Sequence, residues 1–74
     1  MPNIPSMSAK KFLKLLLKND CVIISIRGSH HKVVNTKNGE MSIIPIHAGK
    51  DIKKSLMLDI LVQLGIDSNE FIRW

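Results

Sequence analysis

The sequence predicts an α+β domain of element order α-β-β-β-α, a three-stranded antiparallel sheet with both helices on one face. Three observations predict it. Two segments, one toward each end of the chain, carry apolar residues at helical spacing. Three short β-type runs lie between them, separated by the turn pairs Gly28-Ser29 and Asn38-Gly39. A sheet that must cover two apolar helix stripes does so most simply by taking both on one side.

Residues 1–7 contain Pro2 and Pro5 and no periodicity, so they are expected to form a flexible tail before a single domain over 8–74. Ser8 is the expected N-cap of a first helix that runs to about Lys18 or Asn19. Phe12, Leu13, Leu16 and Leu17 form its expected buried stripe. Lys10, Lys14 and Lys18 repeat every four residues on the other side, with Lys11 beside them. Such a row is repulsive by itself and more comfortable against an anion. The plainer reading is a solvated helix face.

Residues 21–27 read as the first strand, with Val22, Ile24 and Ile26 expected on one face and Ile23, Ser25 and Arg27 on the other. Residues 31–36 read as the second strand, and residues 41–46 as the third. Asn38-Gly39 between them is a strong hairpin signal. Pro45 cannot donate a ladder hydrogen bond, so the third strand belongs at an edge or ends there. The second helix is clearest over 55–64, with Ile52, Leu56, Met57, Ile60, Leu61 and Leu64 as its stripe and Gly65 as its stop. Asp67 or Ser68 is expected to cap a short last turn whose Phe71 and Trp74 pack back on the core.

Seventy-four residues make one domain with a thin core. The lone Cys21 excludes an internal disulfide, and no Cys-x-x-Cys or His-x-x-x-His pair offers a metal site. No metal or other cofactor is therefore expected. The start of the chain lacks the charged and apolar regions of a signal peptide, and its apolar runs are too short for a bilayer. A cytoplasmic protein without a membrane partner is the expectation. Net charge is +5 and uneven: through Lys50 there are eight Lys/Arg against Asp20 and Glu40, a balance of +6. From Asp51 onward three basic residues face four acidic ones, a balance of −1. The basic part points to a polyanion, with nucleic acid ahead of membrane.

The stretch Arg27-Gly28-Ser29-His30-His31-Lys32 concentrates chemistry at the first turn. Side chains alternate along a strand, so the two imidazoles should face opposite sides. Histidine exchanges protons near neutral pH, and Arg27 and Lys32 place positive charge nearby. A histidine pair of this kind also occurs for purely structural reasons. The second chemical stretch is Pro45-Ile46-His47-Ala48-Gly49-Lys50-Asp51-Ile52, and the third is Ile60-Leu61-Val62-Gln63-Leu64-Gly65-Ile66 with Glu70-Phe71 after it.

The element order is also that of double-stranded-RNA-binding domains. Together, Gly-Ser-His-His, the P-x-H-x-G-K pattern and the end of the second helix resemble the HicA family of toxins, small partners of HicB antitoxins. The resemblance covers roughly residues 8–71. It implies a double-stranded-RNA-binding-like fold and an endoribonuclease that cleaves mRNA. It also implies that the last histidine of the first motif, His31, is catalytic, and that a HicB-like antitoxin inhibits the toxin by covering it. The chain departs from the family where many members end the first helix with glycine and an aromatic; here Asp20 and Cys21 stand there. Leu58 stands where many members carry an arginine.

RNA cleavage needs no metal when the 2′-OH attacks the adjacent phosphorus. His31 is then the expected acid or base, worth about 10²–10⁴-fold. The expected RNA contacts are Lys10, Lys11, Lys14, Arg27, Ser29, Lys32 and Lys50. His47 is either a second proton-transfer group or a loop-orienting residue. Two other readings stay open: a non-catalytic RNA-binding module, and a protein-interaction domain that never touches RNA.

Overall fold

A computed structural model describes residues 3–74 of the chain; Met1 and Pro2, the start of the expected tail, lie outside the described residues. The order is α1 (Ala9–Leu17), β1 (Cys21–Arg27), β2 (His30–Asn35), β3 (Met41–Pro45), α2 (Lys54–Gln63) and α3 (Ser68–Phe71). The three strands pair antiparallel in the order β1-β2-β3. Both long helices cover one face, which makes the α+β architecture expected from the sequence.

Ser8 starts α1 as an N-cap, its hydroxyl accepting from the Lys11 N–H at 3.1 Å. Ala9, Phe12, Leu13 and Leu16 are buried. Leu17 is not: it is 40% exposed, and Ala9 takes its place in the stripe. The helix is capped at Lys18, and the turn after it passes through Asp20, whose φ of +69° is the one left-handed backbone among described residues other than glycine. A glycine would sit there without strain, and aspartate is among the few side chains that tolerate it.

The segment before α1 corrects the expectation of a loose tail, because Ile4 and Met7 are both buried in the core. The Ile52 N–H donates to the Met7 carbonyl at 3.1 Å, and Ser8 forms an isolated bridge with Asp51. Two apolar side chains three residues apart cannot reveal burial by periodicity. The partner of the Met7 carbonyl, Ile52, is more than forty positions away.

In β1 the alternation breaks. Val22 pairs with Val34 and Ile23 with Val33, but Ser25 then pairs with Lys32, leaving Ile24 in a bulge. Residues after the bulge change sides relative to those before it. Ile26, opposite His31, therefore does not share a face with Val22 as simple alternation required. On the helix side the rows are Ile23-Val33-Ser42 and Ile26-His31-Ile44. On the outer side they are Val22-Val34-Met41, Ser25-Lys32-Ile43 and Arg27-His30-Pro45. Pro45 is the last residue of an edge strand, where its missing N–H costs nothing.

The core is built from Phe12 and Leu16 of α1, Val33 and Ile44 of the sheet, Met57, Ile60 and Leu61 of α2, and Leu64 just beyond it. Each is worth roughly 1.5–3 kcal/mol by burial, so a few side chains carry a domain this small. Phe71 of α3 meets Phe12 and Trp74 edge-to-face, at 5.4 Å and 5.3 Å between ring centroids. Leu58 is half-buried against the core.

The β2–β3 hairpin is tied to the end of α2. The buried Asn35 amide donates to the Leu64 carbonyl at 2.9 Å, and the Asn38 amide donates to the same oxygen at 3.0 Å. Gly65 follows with φ +69°, and a Cβ there would lie 2.5 Å from the Asn38 amide nitrogen. Backbone conformation and close approach therefore both call for glycine.

Candidate functional site

The site lies at the opposite end of the sheet. Gly28, at φ +58°, supplies the left-handed residue that a two-residue hairpin loop favours, and it brings Arg27 opposite His30. Pairing starts at His30, one residue earlier than expected, so both imidazoles belong to β2. They face opposite ways. His30 is exposed and shares the outer row with Arg27 and Pro45. His31 is half-buried on the helix side, between exposed Ile26 and fully buried Ile44.

The His31 ring is oriented by its own turn. Its Nδ1 lies 3.3 Å from the Ser29 carbonyl oxygen. A carbonyl only accepts, so in this contact Nδ1 carries the proton, and Nε2 is left as the ring's working nitrogen. The same Ser29 carbonyl accepts the Ile46 N–H at 2.7 Å. That bond draws the segment after β3, with His47, to the His31 end of the sheet.

From there the chain turns back on α1. The Lys50 N–H donates to the His47 carbonyl at 3.1 Å, and the Ala9 N–H lies 3.4 Å from the Lys50 carbonyl. A shallow cleft over this junction is lined by His47, Lys50, Asp51 and Lys53, among others. A neighbouring groove is lined by Ser8, Lys10, Lys11 and Lys14. Ser8 and Ala9 are consecutive, so the two depressions adjoin. Three stretches thus follow one another at this end of the domain: Ser29 and His31 are joined through Ile46 to His47 and Lys50, and Lys50 in turn to the start of the helix that carries Lys10, Lys11 and Lys14.

Arg27 and Lys32 are not part of that gathering. Both line a cleft on the outer face with His30, Ser25, Ile24 and Ile43, across the sheet from His31. Lys53 lines the cleft of His47 and Lys50 and was not singled out from the sequence. The signal for it existed: Lys53 and Lys54 continue the basic run that Lys50 begins.

Cys21 is buried, and burial, followed by the charge of neighbouring Asp20, pushes its thiol pKa up. It is a core side chain held protonated rather than a nucleophile. Among the described residues, no three His, Cys, Asp or Glu side chains converge in a group that could hold a metal ion. None of the described helices is long and apolar enough to cross a membrane.

No curated protein and no solved structure matches the chain. A family comparison does: residues 9–66 match the family described as HicA toxin of bacterial toxin-antitoxin. The match runs from the first residue of α1 to just past Gly65, across the whole sheet, the histidine turn and the cleft. With most of the chain matched and the α-β-β-β-α order in place, the protein belongs to the HicA family of toxins of bacterial toxin–antitoxin systems.

Proposed function

We propose that this toxin is a metal-independent endoribonuclease acting on mRNA, with His31 as its proton-transfer residue. One observation carries the reading. His31 is the imidazole on the helix side of the sheet, its Nδ1 faces a backbone carbonyl, and the lysines of α1 and the Lys50 loop lie at the same end. Single-stranded RNA would track over Lys10, Lys11, Lys14 and Lys50, whose charge offsets the phosphates and makes binding fall with salt. Arg27 and Lys32 act on the same polyanion at longer range.

In the reaction the ribose 2′-oxygen attacks the adjacent phosphorus and loses its proton to a base. The P–O5′ bond breaks, and the 5′-oxygen takes a proton. The products are a 2′,3′-cyclic phosphate and a 5′-hydroxyl end. Nε2 of His31 performs one of the two transfers, for about 10²–10⁴-fold. Lys50, with Ser29 or N–H groups of the Gly28 turn, offsets charge developing on the phosphate oxygens. His47, on the loop that Ile46 anchors to Ser29, is the candidate for the second transfer. A HicB-like antitoxin holds the toxin inactive by covering His31.

The test is a long unstructured RNA incubated with purified protein in EDTA, beside His31→Ala. Cleavage by the parent alone, leaving 2′,3′-cyclic phosphate ends, is the expected result. Equal cleavage by both proteins would remove His31 from the reaction. A folded parent that binds RNA without cutting it would mark a non-catalytic RNA-binding module. That second reading draws on the presence of only one imidazole on the helix side of β2.

A further inference from the structure

Among the described residues, no helix lies over the outer face of the sheet. Its three rows hold ten side chains with the bulged Ile24, and none is acidic. Val22, Ile24, Met41 and Ile43 are 44–53% exposed, a large fraction for aliphatic side chains that lie side by side. Val34 lies among them, Lys32 sits at the centre, and Arg27 and His30 occupy the end nearest the turn. One end of the face is apolar and the other basic.

We infer that this face is the docking surface for an acidic protein with a complementary apolar patch, namely the HicB-type antitoxin. The inference rests on the toxin reading for the partner's identity, and not on the catalytic role of His31. Three features favour such a partner. The face carries only positive charge within a chain of net charge +5, so an acidic surface is attracted and a second copy of this chain is repelled. Its apolar part is aliphatic: Phe12, Phe71 and Trp74 all pack on the helix side, and the one ring on this face is the His30 imidazole at its basic end, too little for a stacking track along an RNA strand. An exposed aliphatic patch bordered by charged side chains has the anatomy of a protein interface.

The geometry has a regulatory consequence. His31 is on the far side of the sheet from this surface, so anchoring and covering are separate events. A partner anchored on the outer face reaches His31 by passing round the Gly28 turn. Losing the anchor should release the toxin while leaving its own site untouched.

The experiment measures binding of the purified chain to the purified HicB-type antitoxin of the same organism, by calorimetry. Ile43→Glu and Met41→Glu are the variants, since both side chains are half-exposed and neither belongs to the site. Each should weaken binding by at least about tenfold, the scale of a single interface anchor. Each should keep its circular dichroism and its RNA cleavage in the absence of antitoxin. Footprinting of the parent provides a second measurement that needs no variant: hydroxyl-radical oxidation of Met41 should drop when antitoxin is added. Undiminished affinity in both variants with unprotected Met41 overturns the inference, as does a parent chain that fails to bind the antitoxin. Self-association of the parent that the variants abolish, or binding to anionic phospholipid vesicles that they abolish, assigns the face to another occupant and also overturns it. If the variants lose the antitoxin but the parent never cuts RNA, the docking surface stands and the nuclease reading falls.

Discussion

The two ends of the sheet are held in different ways. At the Asn35 end, one carbonyl, that of Leu64, accepts two side-chain amides from the hairpin. The Asp20 carbonyl accepts both the N–H and the hydroxyl of Thr36, each at 2.8 Å, and Lys37 lies 3.3 Å from the Asp20 carboxylate. At the His31 end the Ser29 carbonyl takes the Ile46 N–H at 2.7 Å and the longer His31 ring contact at 3.3 Å, and the other ties are single backbone bonds: Ala9 to Lys50 at 3.4 Å and Ile52 to Met7 at 3.1 Å. The side chains there, Lys10, Lys11, His47 and Lys50 among them, are exposed. The first end spends its polar groups on the fold; the second leaves them facing outward. A small domain that must present charge for a partner concentrates its internal bonding away from that charge.

The comparison predicts that damage at the two ends separates into stability and activity. The largest effect on stability is expected from Leu64→Ala, which empties a fully buried site next to the doubly accepting carbonyl. Unfolding by urea should show a loss of about 2–5 kcal/mol. His31→Ala should do the reverse. RNA cleavage should fall by about 10²–10⁴-fold, while the urea midpoint shifts by no more than about 1 kcal/mol, since one long hydrogen bond from a half-buried ring is lost. A large drop in stability there would mean that His31 is a core residue first.

Asn35→Ala removes a buried donor and leaves the Leu64 carbonyl with Asn38 alone. A cost of about 1–3 kcal/mol is expected, with cleavage per folded molecule unchanged. A change in the rate of the folded fraction would show that the two ends are coupled through β2. The smallest effect is that of Ser8→Ala at the site end. Loss of the cap should cost about 1 kcal/mol in thermal or urea unfolding. Because Ser8 lines the groove of Lys10, Lys11 and Lys14, RNA affinity should fall slightly along with it.

Much of this was legible before any coordinates. The helix stripes, the two turn pairs, Pro45 at the end of an edge strand and Gly65 after α2 are written in local patterns, and each element lies within two residues of its expected bounds. The motifs in the histidine turn and after β3 named the family that the comparison then matched. What was not legible is equally specific. Alternation along β1 failed at Ile24 because a bulge changes the count of residues on one strand only, and nothing local announces it. Ile4 and Met7 looked like tail because their burial is tertiary: the Met7 carbonyl, for one, is held by Ile52. Asn35 carries no local signal within the second strand, and its amide spans 29 positions to reach Leu64.

The sequence by itself determined the element types, their order and the existence of two histidines on opposite faces of one strand. Those properties depend on residues within a turn or a few positions of one another. Only the tertiary structure decided which histidine lies beside the helices, that Arg27 and Lys32 stand across the sheet from it, and that an aliphatic face with a basic end is left uncovered. Burial and sidedness are relations between segments far apart in the chain, and they take values only when the helices choose a face of the sheet.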